Sequence, residues 1–195
     1  CSPTDDHVSP RQQADLLFAQ QDWSLALAAY RAIQGFQTSS VLQLRIAECC
    51  FNLGLFEEAY FSAMQASEFH KSLLRAIQIQ GRAACALGWI QEWVNLTEAA
   101  YLQSQPSPEL ILDFAQAQLF GVGDAQRARS LAEVFVGHAV YGEQASWLVL
   151  MSHIYDRPDC MSARQLNEQF RHFAAQYIAP CAQALACINP PKLPN

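Results

Sequence analysis

This sequence has few basic residues, few charged residues of either sign, and no long apolar run. Lys and Arg number 12 in 195 residues, 15% of the residues are charged, and the formal net charge is −6. The few basic residues are scattered, so the chain lacks the basic patch with which proteins bind nucleic acid. No run is continuously apolar over the roughly 18 residues that a membrane-spanning helix needs. The sequence therefore argues against a nucleic-acid partner and against a transmembrane segment.

The motifs of common enzymes are missing as well. The chain has no Gly-rich phosphate loop, no H-E-x-x-H, no G-x-S-x-G and no C-x-x-C. The histidines are dispersed; His153 lies near Asp156 and Cys160, but a helical histidine beside a turn is more often a surface or capping residue than a ligand. We therefore predict a protein that is not an enzyme, with no catalytic residue, no metal, no cofactor and no small-molecule substrate.

What the chain does contain is a repeated block in which a tight turn leads into a helix. The blocks are Gln21–Ala26, Gly54–Ala59, Gly88–Trp93, Gly123–Ala128 and, more weakly, 158–163. Their last residues lie 33, 34, 35 and 35 positions apart. Helical apolar spacing precedes each block, as at Leu44, Ala47 and Phe51, and follows it, as at Leu131, Val134 and Phe135. Paired helices with short connections predict stacked helical hairpins.

This pattern resembles the tetratricopeptide (TPR) repeat, whose period is about 34 residues. Small residues stand where two helices of a TPR approach closely: Ala14, Ala47 and Gly81 in first helices, and Ala26, Ala59, Ala128 and Ala163 in second helices. Trp93 replaces the second-helix alanine of the third repeat. The resemblance implies an all-α, right-handed solenoid of about five helical hairpins over residues 10–176. Residues 1–9 would form an N-terminal tether, and residues 177–195 a short C-terminal helix or capping segment and a Pro-rich tail.

In TPR proteins the first helices line a concave groove that binds a peptide, and the resemblance implies the same here. The register places on this face Arg11, Asp15, Phe18, Val41, Leu44, Glu48, Phe51, Arg75, Gln78, Arg82, Asp113, Phe120, Leu148 and Tyr155. Arg75 and Arg82 share a helix face and could clamp a carboxylate of the partner. The alternative is that they pair with Glu48 and Asp113 and are structural.

The cysteines bear on the compartment. Cys1 precedes a short polar stretch, which resembles the tether after the acylated cysteine of bacterial lipoproteins. We expect Cys1 to be lipidated and the protein to lie at the periplasmic face of the outer membrane; a chain that simply starts there is the alternative. Cys181 and Cys187, six positions apart, could then form a disulfide. Cys49, Cys50 and Cys85 lie in apolar helical segments and are expected in the core.

Three functions fit this reading. The first is a lipid-anchored TPR lipoprotein that holds or assembles a protein component of a bacterial envelope complex, such as a pilus or secretion machine. The second is a soluble cytoplasmic TPR chaperone or adaptor that binds a client chain. The third is a permanent structural subunit of a large complex, for which apolar groups near the turns, such as Trp23, Trp89 and Trp93, would form the interface. All three are protein-interaction functions.

Overall fold

The computed structural model describes residues 9–69, 74–103, 106–156 and 162–180. In these ranges every regular element is helical, which confirms the all-α class predicted from the sequence. The helices are α1 (Pro10–Ala19), α2 (Trp23–Ala32), α3 (Ser40–Asn52), α4 (Phe56–Phe69), α5 (Leu74–Ala86), α6 (Ile90–Gln103), α7 (Pro108–Ala117), α8 (Ala125–Glu133), α9 (Gly142–Tyr155) and α10 (Ala163–Phe173). None of the helices so described is both long and apolar enough to cross a membrane.

The chain divides into two compact units between Ser104 and Gln105. Unit 1 contains α1 to α6, which pair into three helical hairpins, and unit 2 contains α7 to α10, which pair into two. Within each unit every helix packs against the next one along the chain. The predicted helical hairpins are therefore present, and the predicted repeat domain of residues 10–176 spans both units.

A left-handed backbone residue closes the first helix of four hairpins. These residues are Gln21 (φ 61°), Gly54 (φ 76°), Gly88 (φ 76°) and Gly123 (φ 84°), which recur with the spacing of the predicted blocks. At Gly54 the chain reverses through two hydrogen bonds, from the Gly54 N–H to the Phe51 carbonyl (3.1 Å) and from the Leu55 N–H to the Cys50 carbonyl (2.9 Å). This arrangement satisfies the last carbonyls of the helix and requires a positive φ, which glycine adopts without strain.

Serine or aspartate begins six of the ten helices and fixes where they start. Ser9 forms a capping box with Gln12, since the serine hydroxyl accepts from the Gln12 N–H (3.2 Å) and the Gln12 side chain accepts from the Ser9 N–H (2.9 Å). The same side-chain cap is made by Asp22, Ser39, Ser107, Asp124 and Ser162. Each cap satisfies an N–H that the helix itself leaves unpaired.

The predicted small residues lie where the two helices of a hairpin meet. Ala14, Ala26, Ala47, Ala59 and Ala128 are all fully buried. The side chain of Ala163 lies outside the described residues. Because alanine projects only a methyl group, two helices can approach closely at these points and exclude water along their length.

The third hairpin carries a large residue where the second helices of other hairpins carry an alanine. Trp93 occupies the alanine position of α6 and is 4% exposed. Gly81 in α5 lies opposite, where an added Cβ would be 3.9 Å from the Trp93 ring and only 3.3 Å from Thr97 Oγ1. That hydroxyl is itself held by a 2.7 Å hydrogen bond to the Trp93 carbonyl. The glycine therefore makes room for the Thr97 hydroxyl, whereas the Trp93 ring would be in ordinary contact with an added Cβ.

The fourth hairpin accommodates one extra residue in a π-helical turn. Sixteen positions separate the N-cap Ser107 from the left-handed Gly123, against fifteen between Ser39 and Gly54 in the second hairpin. The additional residue is absorbed at Gln118–Val122, which is π-helical. A second such turn follows α10 at Ala174–Ile178. One prediction was wrong here: Val134 does not continue the apolar face of α8, because the helix ends at Glu133 and Val134 is 78% exposed.

Gln21 is strained relative to its glycine counterparts, and this leads to a stability prediction. A non-glycine residue in the left-handed region costs about 1–2 kcal/mol, whereas glycine loses about 0.5–1 kcal/mol of backbone entropy on folding. Replacing Gln21 with glycine should therefore raise the free energy of unfolding by about 0.5–1 kcal/mol. The matched change Gly54→Ala should lower it by about 1 kcal/mol. Urea unfolding followed by circular dichroism measures both; a Gln21→Gly protein less stable than the parent would contradict the argument.

Candidate functional site

Predicted groove residues of α1, α3 and α5 come together on one face of unit 1, which we call the first-helix face. Phe18 in α1 lies under the guanidinium of Arg45 in α3, with 4.4 Å between the guanidinium carbon and the ring centroid. Arg45 also bonds to Glu48 (3.0 Å), and Arg75 in α5 bonds to the other oxygen of the same carboxylate (3.1 Å). Interactions through Glu48 and Arg45 thus link three successive hairpins.

Glu48 holds both guanidinium groups in place. The Glu48 side chain is 11% exposed, whereas the side chains of Arg45 and Arg75 are 41% and 42% exposed. A carboxylate withdrawn from water needs charged hydrogen-bond partners, so both arginines are directed towards it. Both guanidinium groups remain partly exposed to solvent. The sequence leaves two roles open for Arg75, a clamp on a partner's carboxylate or a structural pair with Glu48. The structure contains the pair with Glu48.

The α1 end of the face is fixed by Asp15. Its carboxylate accepts a 2.6 Å hydrogen bond from the Tyr30 hydroxyl and lies 3.9 Å from the Arg11 guanidinium. Burial raises the pKa of Tyr30, and the bond to Asp15 raises it further, so the tyrosine stays protonated and donates. The face carries the three arginines 11, 45 and 75 against the carboxylates Asp15 and Glu48. It is therefore locally cationic on a chain whose net charge is −6.

The apolar residues of this face are partly shared with the core. Leu44 and Phe51 pack against the buried cluster of Ala47, Ala63 and Ile79, and Phe51 also meets Phe56 edge-on at 5.6 Å. Val41, at the start of α3, is 48% exposed. Val41 is therefore the apolar residue of the α3 stripe that a partner reaches first.

Gln78 brings an unsatisfied amide to the α5 part of the face. Its Nε2 atom is buried and has no hydrogen-bond partner among the residues that the structure describes. A buried donor without an acceptor costs about 1–3 kcal/mol. Arg82, one turn further along α5, is half-buried.

In unit 2, two of the predicted groove residues are exposed and contact each other, and two others are buried. Phe120 (39% exposed) and Tyr155 (56% exposed) form an edge-on pair with centroids 5.6 Å apart. Leu148 is 2% exposed within the main core cluster of unit 2, and Asp113 is 8% exposed. These two predictions were wrong, because their helices turn Leu148 and Asp113 inward rather than towards solvent.

Sequence reasoning missed Arg45 and a cavity in unit 2. Arg45 lies three residues before Glu48, and this i, i+3 spacing was the available signal. The cavity, of about 440 Å³, lies between α9 and α10 and is lined by Val149, Leu150, Glu168, His172, Phe173 and Tyr177 among others. None of the α10 residues 164–173 is buried, so this part of the helix fits loosely against α9. A gap of this kind has no signature in the sequence.

The histidine considered for catalysis lies in a structural cluster. Arg129 in α8 bonds to Asp156 (2.7 Å) and to the Ser152 hydroxyl (3.0 Å), which ties α8 to the end of α9. Burial lowers the pKa of His153, and the positive charge of Arg129 lowers it further, so the imidazole is mainly neutral at pH 7. No trio of His, Cys, Asp or Glu in the described ranges is placed to hold a metal ion.

The cysteines that the structure describes are free thiols. Cys49 and Cys50 are fully buried, and burial raises their pKa to about 12 and about 11, so neither forms a reactive thiolate near neutral pH. Cys85 is partly exposed. The predicted lipidation site Cys1 and the predicted disulfide partners Cys181 and Cys187 lie outside the described residues.

Similarity to known proteins is found at the level of structure. No protein-family model matches the sequence, and no curated protein sequence matches it. MamA from Desulfovibrio magneticus RS-1, solved from its residue 41 to its end, superposes with a TM-score of 0.69 at 11% identity, over 85% of this chain and 92% of the solved MamA chain. PilF from Pseudomonas aeruginosa gives a TM-score of 0.67 at 15% identity, over 89% of this chain and 79% of PilF.

YrrB, described as a TPR protein with an unusual peptide-binding site, is similar too. Its TM-score is 0.66 at 14% identity, over 90% of this chain and 89% of YrrB. Identities this low establish the fold alone. The chain has an all-α, TPR-like fold, and the resemblance predicted from the repeat is confirmed at that level.

Glu48 is expected to matter for stability as well as for the first-helix face. Replacing it with glutamine keeps its shape but leaves Arg45 and Arg75 without their shared counter-charge. The free energy of unfolding should fall by about 1–2 kcal/mol, a value already reduced for the solvent exposure of both arginines. Urea unfolding followed by tryptophan fluorescence reports mainly on unit 1, which holds three of the four tryptophans.

Glu58→Gln is the matched control for this measurement. Glu58 in α4 pairs with Arg31 in α2, and their side chains are 52% and 45% exposed. Water screens such a pair, so its loss should change the free energy of unfolding by no more than about 0.5 kcal/mol. Equal effects of the two substitutions would show that Glu48 has no special structural role.

Proposed function

We propose that this chain is a non-enzymatic scaffold that binds a segment of another protein on the first-helix face. We further propose that lipid on Cys1 anchors it at the periplasmic face of the outer membrane of a bacterium. There it would hold or assemble a protein component of an envelope complex. TPR-like folds present a stacked row of first helices, and the fold of this chain supports an interaction scaffold on those grounds.

The observation that carries the proposal is the pair of arginines held by Glu48. Two half-exposed guanidinium groups are fixed by a carboxylate that is itself 11% exposed, so their positive charges are in place before a partner arrives. Binding then orders little that was not ordered already, which reduces its entropic cost. Exposed Val41, and Phe18, whose ring lies under the Arg45 guanidinium, supply apolar contacts.

This arrangement suits a peptide that carries a carboxylate beside an apolar side chain. The carboxylate would pair with Arg45 and Arg75, and the apolar group would cover Val41. YrrB, whose fold is similar, is described as having a peptide-binding site. That description supports a peptide as the ligand class.

Lipid on Cys1 would supply membrane affinity that the described helices do not. Each buried methylene of an acyl chain contributes about 0.8 kcal/mol, and a single chain gives only marginal, reversible binding, so stable anchoring needs more than one. The polar stretch that follows Cys1 would act as the tether between the membrane and unit 1.

Photocrosslinking in the native cell tests the binding face. A photoreactive phenylalanine analogue at Val41 should crosslink to a specific protein, whereas the same group at Ala28, which is exposed on the second helix α2, should not. Arg45→Ala with Arg75→Ala should reduce the Val41 crosslink at least tenfold, and Arg31→Ala should leave it unchanged. Circular dichroism of each variant shows whether it is folded. A crosslink from Ala28 but none from Val41 would reject the first-helix face.

Intact mass spectrometry of protein extracted from its native membrane tests the anchor. We expect the mass of a triacylated Cys1, and Cys1→Ala should move the protein from the membrane to the soluble fraction. An unmodified Cys1 in a protein that fractionates with the cytosol would reject the lipoprotein and favour the soluble chaperone or adaptor.

A further inference from the structure

A second surface of unit 1 has the composition of a docking site. At the turns that join α3 to α4 and α5 to α6, the apolar side chains of Leu53, Leu55, Trp89 and Ile90 are 39%, 41%, 40% and 43% exposed. We call this surface the turn edge. Exposed apolar groups are normal when scattered, but four gathered at two neighbouring turns are typical of an interaction surface.

A cavity lies between the two turns. Its volume is about 270 Å³, and it is lined by Gly54, Leu55, Phe56, Glu57, Glu58 and Leu87. Leu55 and Leu87 come from different hairpins, so the cavity depends on the stacking of the second hairpin against the third. It is large enough for one apolar side chain.

The two turn segments are acidic and contain no basic residue, although Arg31 of α2 pairs with one of their glutamates. The segments 53–58 and 87–92 contain Glu57, Glu58 and Glu92 and no Lys or Arg. Glu57 is exposed and pairs with no cation in the part of the chain that the structure describes. Glu58 is half-exposed while bonded to Arg31, and Glu92 accepts from the Tyr60 hydroxyl at 2.9 Å.

Helix electrostatics explains only part of this pattern. Glutamates in the first turn of α4 and α6 interact favourably with the positive end of the helix dipole. That accounts for the acids, but it does not explain why exposed Leu55, Trp89 and Ile90 surround them. Trp89 is also held edge-on against Tyr60, with centroids 5.1 Å apart, so its exposed face is fixed.

We propose that the turn edge docks a basic amphipathic helix of a partner protein. One apolar side chain of that helix enters the cavity between the turns, and others cover Trp89 and Ile90. Lysines or arginines beside these anchors reach Glu57 and Glu92. Charge complementarity selects this occupant. Arg31 pairs with Glu58, but Glu57 and Glu92 add negative charge that Arg31 does not offset, and this charge attracts a cationic helix and repels an anionic membrane surface. The turn edge would work independently of the first-helix face, so the chain would hold two partners of opposite charge.

A designed peptide can serve as the probe. The full chain is titrated into a fluorescein-labelled 18-residue helix of leucine and lysine, with leucines at i, i+3, i+4 and i+7, and anisotropy is measured. The same helix with glutamate in place of lysine is the control peptide. We expect the lysine peptide to bind at least tenfold more tightly than the glutamate peptide.

Variants locate the site. Leu55→Ser and Glu57→Lys should each weaken binding of the lysine peptide at least fivefold. Glu57 is exposed and pairs with no cation among the described residues, so Glu57→Lys loses only its interaction with the α4 dipole, and circular dichroism shows that each variant is folded. Leu16→Ser, which removes a 57% exposed leucine of α1, is the matched control and should change nothing. Arg45→Ala with Arg75→Ala should leave peptide binding intact, which separates this test from that of the first-helix face.

Two results would overturn the proposal. The first is an equal effect of Leu55→Ser and Leu16→Ser, since binding would then be a general property of an acidic protein. The second is binding to phosphatidylglycerol vesicles that depends on Leu55 and Trp89, with no such dependence for the peptide, since the turn edge would then contact lipid.

Discussion

Close approach of paired helices is the constraint on which the rest of the structure depends. Buried alanines such as Ala47 and Ala59 let the helices of a hairpin meet, and the same packing brings the first helices of successive hairpins within side-chain reach. Glu48 in α3 can therefore bond to Arg75 in α5. Because the carboxylate is nearly buried, it must be paired, and it fixes two arginines that solvent would otherwise leave mobile. The packing of the helices therefore leads to a cationic face whose arginines are in place before a partner binds.

Unit 1 then presents two chemically opposite surfaces. The first-helix face carries Arg11, Arg45 and Arg75 around partly exposed apolar groups, and the turn edge carries glutamates around exposed Leu55 and Trp89. Both follow from the hairpin. First helices supply one surface, while the turns and the first residues of the second helices supply the other. The net charge of −6 for the whole chain does not indicate that unit 1 carries one cationic and one acidic surface.

Much of this could be read from the sequence, and the failures have physical reasons. The turn blocks gave the period because positive φ recurs there, and the small residues marked the helix contacts. Arg45 escaped notice because i, i+3 ion pairs are common on helix surfaces and carry no functional signal. Leu148 was assigned to the groove because regular spacing ignores the local rotation of each helix; the extra residue in the Gln118–Val122 turn shows how such a rotation arises.

The arrangement of the first-helix face requires that Arg45 and Arg75 are already fixed in the free protein. Side-chain relaxation tests this without any partner. The order parameter of each arginine Nε–H is measured by ¹⁵N NMR. Arg45 and Arg75, held by Glu48, should approach the rigid-backbone value of about 0.85, whereas Arg164, whose side chain is 89% exposed, should fall below about 0.6. Glu48→Gln should bring the first two close to Arg164. Low values for Arg45 and Arg75 in the unaltered protein would contradict a prearranged face.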